Sequence, residues 1–137
     1  MMRGKEILKL IPQRYPFIMV DEATDFTEDS CKTSLTVRYD NYFVIGGDEL
    51  AETGLIEHTA QSASALAGYK NLEAESAPVG IIGEVKHFTC HRRPHVGEKL
   101  ETTITFGMSF GNVTLADGET RIDGELIAET KLKIFIQ

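Results

Sequence analysis

Residues 49–69 read ELAETGLIEHTAQSASALAGY. The stretch has no proline and is rich in Ala, Leu, Glu and Gln, all good helix formers, so it predicts one long helix. Gly54, Thr59, Ala60, Ser62, Ala63, Ser64, Ala65, Ala67 and Gly68 put small side chains on every side of that helix, and little charge follows His58. A surface helix keeps a polar stripe. A helix that is small and uncharged all round is enclosed on most faces, with neighbours close to its backbone.

The enclosing material is legible on both sides of the helix. Upstream, Ile7, Leu8, Leu10 and Ile11 have helical spacing that Pro12 stops. Residues 17–27 read as a strand and residues 28–30 as a turn. Residues 31–39 read as a second strand, with Leu35, Val37 and Tyr39 on one face and Thr36 and Arg38 on the other. Residues 43–48 read as a loop. Downstream, residues 73–78 are a polar loop, and strands are expected over 79–90, 99–110, 112–115 and 122–136, with a turn at Asp117-Gly118. In the last strand Leu126, Ala128, Leu132, Ile134 and Ile136 share one parity, against Glu125, Glu129, Lys131 and Lys133. Long strands joined by hairpins make an antiparallel sheet with one face to cover, and the central helix is the apolar object available. The expected fold is α+β, a curved antiparallel sheet wrapped around one helix, in a single domain over 1–137.

Composition narrows the function. The 137 residues carry 14 basic and 21 acidic side chains, a net charge of −7. An acidic chain is a poor ligand for nucleic acid and for anionic membranes. No apolar run approaches the roughly 18 residues of a membrane span, and the charged start has no signal-peptide core. Two cysteines, Cys31 and Cys90, are too few for a disulfide framework and fit a reduced, cytoplasmic setting.

Two segments carry a resemblance to a known family. Residues 7–21, Ile7-Leu8-Lys9-Leu10-Ile11-Pro12-Gln13-Arg14-Tyr15-Pro16-Phe17-Ile18-Met19-Val20-Asp21, resemble the opening L-P-H-R-Y-P-F-L-L-V-D of the 3-hydroxyacyl-acyl-carrier-protein dehydratases. Glu57-His58-Thr59-Ala60-Gln61, with Gly68-Tyr69 further on, is similar to that family's central-helix pattern E-x-M-A-Q…G-Y. A weaker match runs from Phe88 to Leu100, with Pro94 and Gly97 in related places. The resemblance implies the hotdog fold, a dimer or dimer-based oligomer, no cofactor, and an acyl thioester substrate on acyl carrier protein or coenzyme A. It places the family's helix carboxylate on Glu57. The family's second catalytic group, a histidine in a G-H-F-P-G loop, has no counterpart in Phe43-Val44-Ile45-Gly46-Gly47-Asp48, and Gln13 replaces the family's first histidine.

Two readings of Glu57 stand side by side. Flanked by Leu55, Ile56, Ala60 and Ala63, its carboxylate would be partly desolvated and suited to proton transfer. Near the helix start it could equally rest on the helix dipole or point to solvent. His58 points about 100° away and could serve a partner subunit's site. His91 is the other candidate base, and His91, Arg92, Arg93 and His95 form a positive patch able to meet a phosphopantetheine phosphate or an acidic carrier protein, or simply a solvated strand end. Gly46-Gly47 lacks the residues of a phosphate loop and reads as a turn that could border the substrate. His87 and His91 on one strand lie about 13 Å apart, too far for one zinc ion, so no metal is expected.

Three functions follow. The first is a homodimeric dehydratase that removes water from a 3-hydroxyacyl thioester. A base takes the α-proton, Glu57 acts at the hydroxyl, and a backbone N–H at the helix N-terminus polarises the carbonyl. The second is a thioesterase of the same fold. The third is a non-catalytic subunit that binds acyl chains or carrier protein, or that partners an active homologue.

Overall fold

The central helix is present, shifted three residues along. In the computed structural model, which describes residues 1–72 and 81–136, α1 spans Glu52–Leu72. The shift arises because Glu49–Leu50 is extended (β5) and pairs with Val44–Ile45 (β4) in a two-stranded hairpin. The expected loop over 43–48 is therefore this hairpin, turned by Gly46 and Gly47 at φ 61° and 75°. Two successive positive φ values make the tight hairpin turn that glycine pairs favour, closed by Asp48 N–H on the Ile45 carbonyl at 3.3 Å.

The main sheet is antiparallel and has seven strands. β1 is Met2–Arg3, β2 Glu22–Thr24, β3 Ser30–Thr36, β6 Ile81–Cys90, β7 Lys99–Phe110, β8 Val113–Ile122 and β9 Glu125–Ile136. Their order is β1-β2-β3-β7-β8-β9-β6. The ten-residue β6 is one edge, and the two-residue β1 is the other. Alternation along β7 and β8 turns Leu100, Ile104, Phe106, Ala116 and Ile122 onto the helix. Glu101, Thr103, Thr105, Asp117, Glu119 and Arg121 face outward. The core has two lobes under the sheet: Leu50 and Leu55 with Met19, Leu35, Leu100, Ile122 and Ile127, then Ala63, Leu66 and Ala67 with Cys31, Ile104, Phe106, Leu132 and Ile134. A third cluster joins Ala65 to Ile7, Leu10, Ile11, Val20 and Ala23 of the N-terminal arm.

Small residues on α1 answer to specific neighbours. A Cβ on Gly68 would collide with the Leu10 carbonyl, and one on Gly54 would sit 2.7 Å from Phe43 Cβ. The arm and the hairpin thus cross the helix at its two ends in near-backbone contact.

Four expectations are corrected. Residues 17–27 yield only the strand Glu22–Thr24, because the backbone at Phe17 and Met19 bonds side chains of α1 instead of a neighbouring strand. No turn forms at Asp117-Gly118. β8 runs straight through, and Gly118 is small because Thr59 Cγ2 occupies the place its Cβ would take. The turn lies at Asp123-Gly124, both at positive φ. Tyr39 falls beyond the end of β3 and is 80% exposed. The first helical piece is a 3-10 turn over Gly4–Lys9. The polar loop expected over 73–78 and the start of the strand expected over 79–90 lie outside the described residues.

Candidate active site

Glu57 and Gln61 are one turn apart on α1, on the face crossed by the N-terminal arm. Residues at i and i+4 on a helix are neighbours, and Gln61 Nε2 donates to Glu57 Oε2 at 2.8 Å. Gln61 is fully buried. Its amide also clamps the arm: Nε2 donates to the Phe17 carbonyl at 2.6 Å, and Oε1 accepts from Met19 N–H at 2.7 Å. Glu57 is half-buried. Among the described residues, Gln61 is the only side chain that hydrogen-bonds it. The carboxyl is thus tethered at one oxygen by a neutral donor and faces no cation. This side-chain pairing was not assigned from the sequence, although the Glu-x-x-x-Gln spacing was its signal.

His58, next in sequence, faces the sheet. It has no exposed surface. Its Nδ1 lies 2.6 Å from the Met19 carbonyl, and its Nε2 lies 2.8 Å from Thr102 Oγ1, which is in turn 2.8 Å from Thr120 Oγ1. A carbonyl only accepts, so Nδ1 carries the hydrogen and Nε2 accepts from the threonine. Burial pushes the imidazole pKa below its ordinary value. This corrects the reading of His58 as a base for a partner's site. Both ring nitrogens are used in joining helix, arm and sheet.

His91 stands just past β6, half exposed, with Nε2 3.4 Å from Glu129 Oε2. No histidine among the described residues hydrogen-bonds Glu57. The expected positive patch is also corrected, because each of its four side chains meets a carboxylate. Arg92 grips Glu98 with two bonds of 2.9 and 3.0 Å and reaches Glu125 at 3.5 Å. Arg93 Nε lies 3.0 Å from both oxygens of Glu52, and its Nη1 is 3.6 Å from Glu49. His95 Nδ1 is 2.9 Å from Asp48. Hydrogen bonds from Arg93 and Arg92 hold the Glu52 and Glu98 carboxyls below the usual carboxylate range. The two arginines and two histidines meet six carboxylates, so the cluster presents no net positive surface. Its geometry instead ties the first turn of α1 and the β4–β5 hairpin to the segment after β6. Gly46 and Gly47 sit at the open tip of that hairpin, where a Cβ would meet nothing within 4 Å. Their structural task is the turn.

Beside the carboxyl side of α1 lies an aromatic rim that the sequence did not announce. Phe17, whose carbonyl Gln61 holds, packs edge-to-face on Tyr42 with ring centroids 4.8 Å apart, and Tyr42 meets Phe43 at 5.3 Å. Tyr15, Phe17 and Tyr42 are largely exposed.

The family model of ApeP-like dehydratases matches residues 5–137. The chain belongs to the ApeP-like dehydratase family. Among curated relatives, the 3-hydroxyacyl-acyl-carrier-protein dehydratase FabZ of Cereibacter sphaeroides is 30% identical over 91% of this chain and 84% of its own. FabZ of Shewanella amazonensis is 26% identical over 93% and 88%. Among solved structures, the dehydratase heterocomplex ApeI:P from Xenorhabdus doucetiae superposes with a TM-score of 0.82 at 16% identity, covering 96% of this chain and 90% of that one. The fold of this ApeP-like chain is the hotdog fold, as the resemblance implied, and its class is that of a 3-hydroxyacyl-acyl-carrier-protein dehydratase-like hydro-lyase.

Proposed function

We propose that this chain supplies the carboxyl half of a dehydratase site and that a second subunit supplies the base. The observation that carries the reading is Glu57 itself, half-buried, held at one oxygen by Gln61 and without a hydrogen-bonding histidine among the described residues. The substrate is a 3-hydroxyacyl thioester on acyl carrier protein or coenzyme A. Its thioester carbonyl acidifies the α-proton, which the partner's base removes, and Glu57 protonates the departing hydroxyl. A backbone N–H in the first turn of α1 would stabilise the charge that builds on the carbonyl oxygen.

Two features support a second subunit. Among the described residues the long edge strand β6 pairs only with β9, and Gly83, Glu84, Val85, Lys86 and His87 are all exposed. Open edges of this length invite pairing. The ApeI:P structure that superposes on this chain is a dehydratase heterocomplex. We therefore favour a partner of the same fold that carries the loop histidine, over a homodimer that recruits His91. The site of action is the cytoplasm, a reading supported by Cys31 and Cys90 standing as free thiols.

Incubation of the assembled protein with acyl and 3-hydroxyacyl thioesters tests the chemistry. The expected result is enoyl absorbance from the 3-hydroxyacyl substrate without release of free thiol. Thiol release without enoyl formation would mean a thioesterase and would overturn the assignment.

A further inference from the structure

We propose that the N-terminal arm is the docking surface for the carrier protein: Arg3, Lys5 and Lys9 receive its acidic face, and the thioester it bears reaches Glu57 along α1. The proposal rests on the reading of the chain as a dehydratase of carrier-borne thioesters, and it names where that carrier binds.

The cations that remain after pairing are not spread over the molecule. Of the 14 lysines and arginines, eight lie within 4 Å of a carboxylate among the described residues. Lys70 and Lys133 instead stand over the rings of Phe106 and Phe135, each 5.8 Å from the centroid. The other four are Arg3, Lys5, Lys9 and Arg14, all on the arm and all exposed. Residues 1–20 contain a single acid, Glu6, whose carboxylate accepts from the Arg3 backbone N–H at 3.3 Å. Four cations against one carboxylate make the arm positive on a chain whose net charge is −7. The run from His91 to His95 offers no such surface, because its charges are matched.

The fold carries this charge to the site. Ile7, Leu10 and Ile11 are buried with Ala65 of α1, while Lys5 and Lys9 stay in solvent. The arm abuts Gly68 at the Leu10 carbonyl and then runs back along the helix. It ends beside Glu57, where one Gln61 amide bonds both the Phe17 carbonyl and the carboxyl. Gly68 and Glu57 are eleven residues apart, about 16 Å of helix at 1.5 Å per residue. A flexible thioester tether spans such a distance while the body of its carrier stays outside. Arg14 fixes the bend between the two ends. Its Nη1 donates to the Ile11 and Gln13 carbonyls at 2.8 Å each, and its Nη2 to the Leu8 carbonyl at 3.2 Å. All three acceptors are neutral, so its charge adds to the positive face. A permanent subunit interface depletes charge at its core. Unmatched cations on an exposed arm fit a partner that is drawn in at long range and exchanged at each turnover, and that partner must be acidic.

The test gives the assembled enzyme one 3-hydroxyacyl chain in two forms, on acyl carrier protein and on pantetheine, which has neither protein nor phosphate. In Lys5→Glu/Lys9→Glu, KM for the carrier-borne substrate should rise about tenfold or more at low salt, with kcat within about twofold. The pantetheine thioester should be turned over as by wild type. Lys5→Gln/Lys9→Gln should fall between, and both variants should keep the wild-type urea midpoint. An unchanged KM on carrier protein would overturn the proposal. An equal loss on both substrates would also overturn it, because the arm would then act on the site and not on the carrier. A binding measurement separates docking from chemistry. Fluorescence anisotropy of labelled carrier protein should show about tenfold weaker binding to Lys5→Glu/Lys9→Glu. That result in an enzyme that dehydrates neither substrate would overturn the dehydratase reading and leave the docking surface standing. Vesicles of phosphatidylglycerol are the counter-probe: vesicle binding that depends on Lys5 and Lys9, with carrier affinity unchanged, would assign the arm to a membrane and overturn the proposal.

Discussion

Two charged regions lie along α1 and its surroundings, and they are built on opposite principles. Around Arg92 and Arg93 every cation has a carboxylate, with bidentate contacts of about 3 Å that match guanidinium to carboxylate geometry. Among the described residues, the Glu57 carboxyl has one neutral donor, a half-open side and no countercharge. A matched cluster spends its charges on holding elements together. An unmatched carboxyl in a defined pose retains the capacity to exchange a proton. The basic run looked like the binding feature in the sequence, and the structure turns it into a brace. The lone glutamate is the feature left free for chemistry.

The largest expected contrast comes from exchanging the two. Glu57→Gln should lower dehydration by the assembled enzyme by about 10²- to 10⁴-fold, the usual contribution of a positioned acid. Its urea midpoint should stay close to wild type, because the change is isosteric and half exposed. Next in size is His58→Ala, which leaves the Met19 carbonyl and Thr102 without their buried partner and opens a cavity. Equilibrium urea unfolding should show a loss of about 2–4 kcal/mol.

The same histidine predicts a pH dependence. Its folded pKa lies below the ordinary 6.5, so between that folded value and 6.5 the unfolded chain binds more protons than the native one. Stability is therefore fully present above about pH 6.5 and falls as pH drops through the window, by up to about 1.4 kcal/mol per pH unit. Unfolding midpoints at pH 7.5 and 5.5 measure it, and His58→Ala should flatten the slope. The smallest effect belongs to the brace. Arg93→Gln should lower the melting temperature slightly while kcat/KM stays within about twofold, since exposed ion pairs contribute little. A large loss of turnover in Arg93→Gln would restore the patch as a binding surface.

Much of this molecule could be read from residues alone. The all-round smallness of 54–68 gave away an enclosed helix, and the alternation in 125–136 gave away a half-covered strand. Residues 7–21, together with the motif around Glu57, led to the right family. What the sequence concealed depends on contacts between distant residues. Nothing local shows that Gln61 would replace strand pairing for Phe17 and Met19, so residues 17–21 looked like strand. Asp117-Gly118 has turn chemistry, but Gly118 is required by the methyl of Thr59 on another element. Arg93 looked unpaired because Glu49 and Glu52 lie some forty positions away in the chain. Ile127, fully buried, sits where β8 and β9 slip register between Thr120 and Arg121, a bulge that breaks the simple parity of the last strand.

The central claim is that this chain brings the acid and a second subunit brings the base. The rate of enoyl formation from a 3-hydroxyacyl thioester, measured for the purified chain alone and after mixing with a histidine-bearing subunit of the same fold, tests it most directly. The account predicts turnover only in the mixture. Full turnover by this chain alone, unchanged by the second subunit, would contradict it.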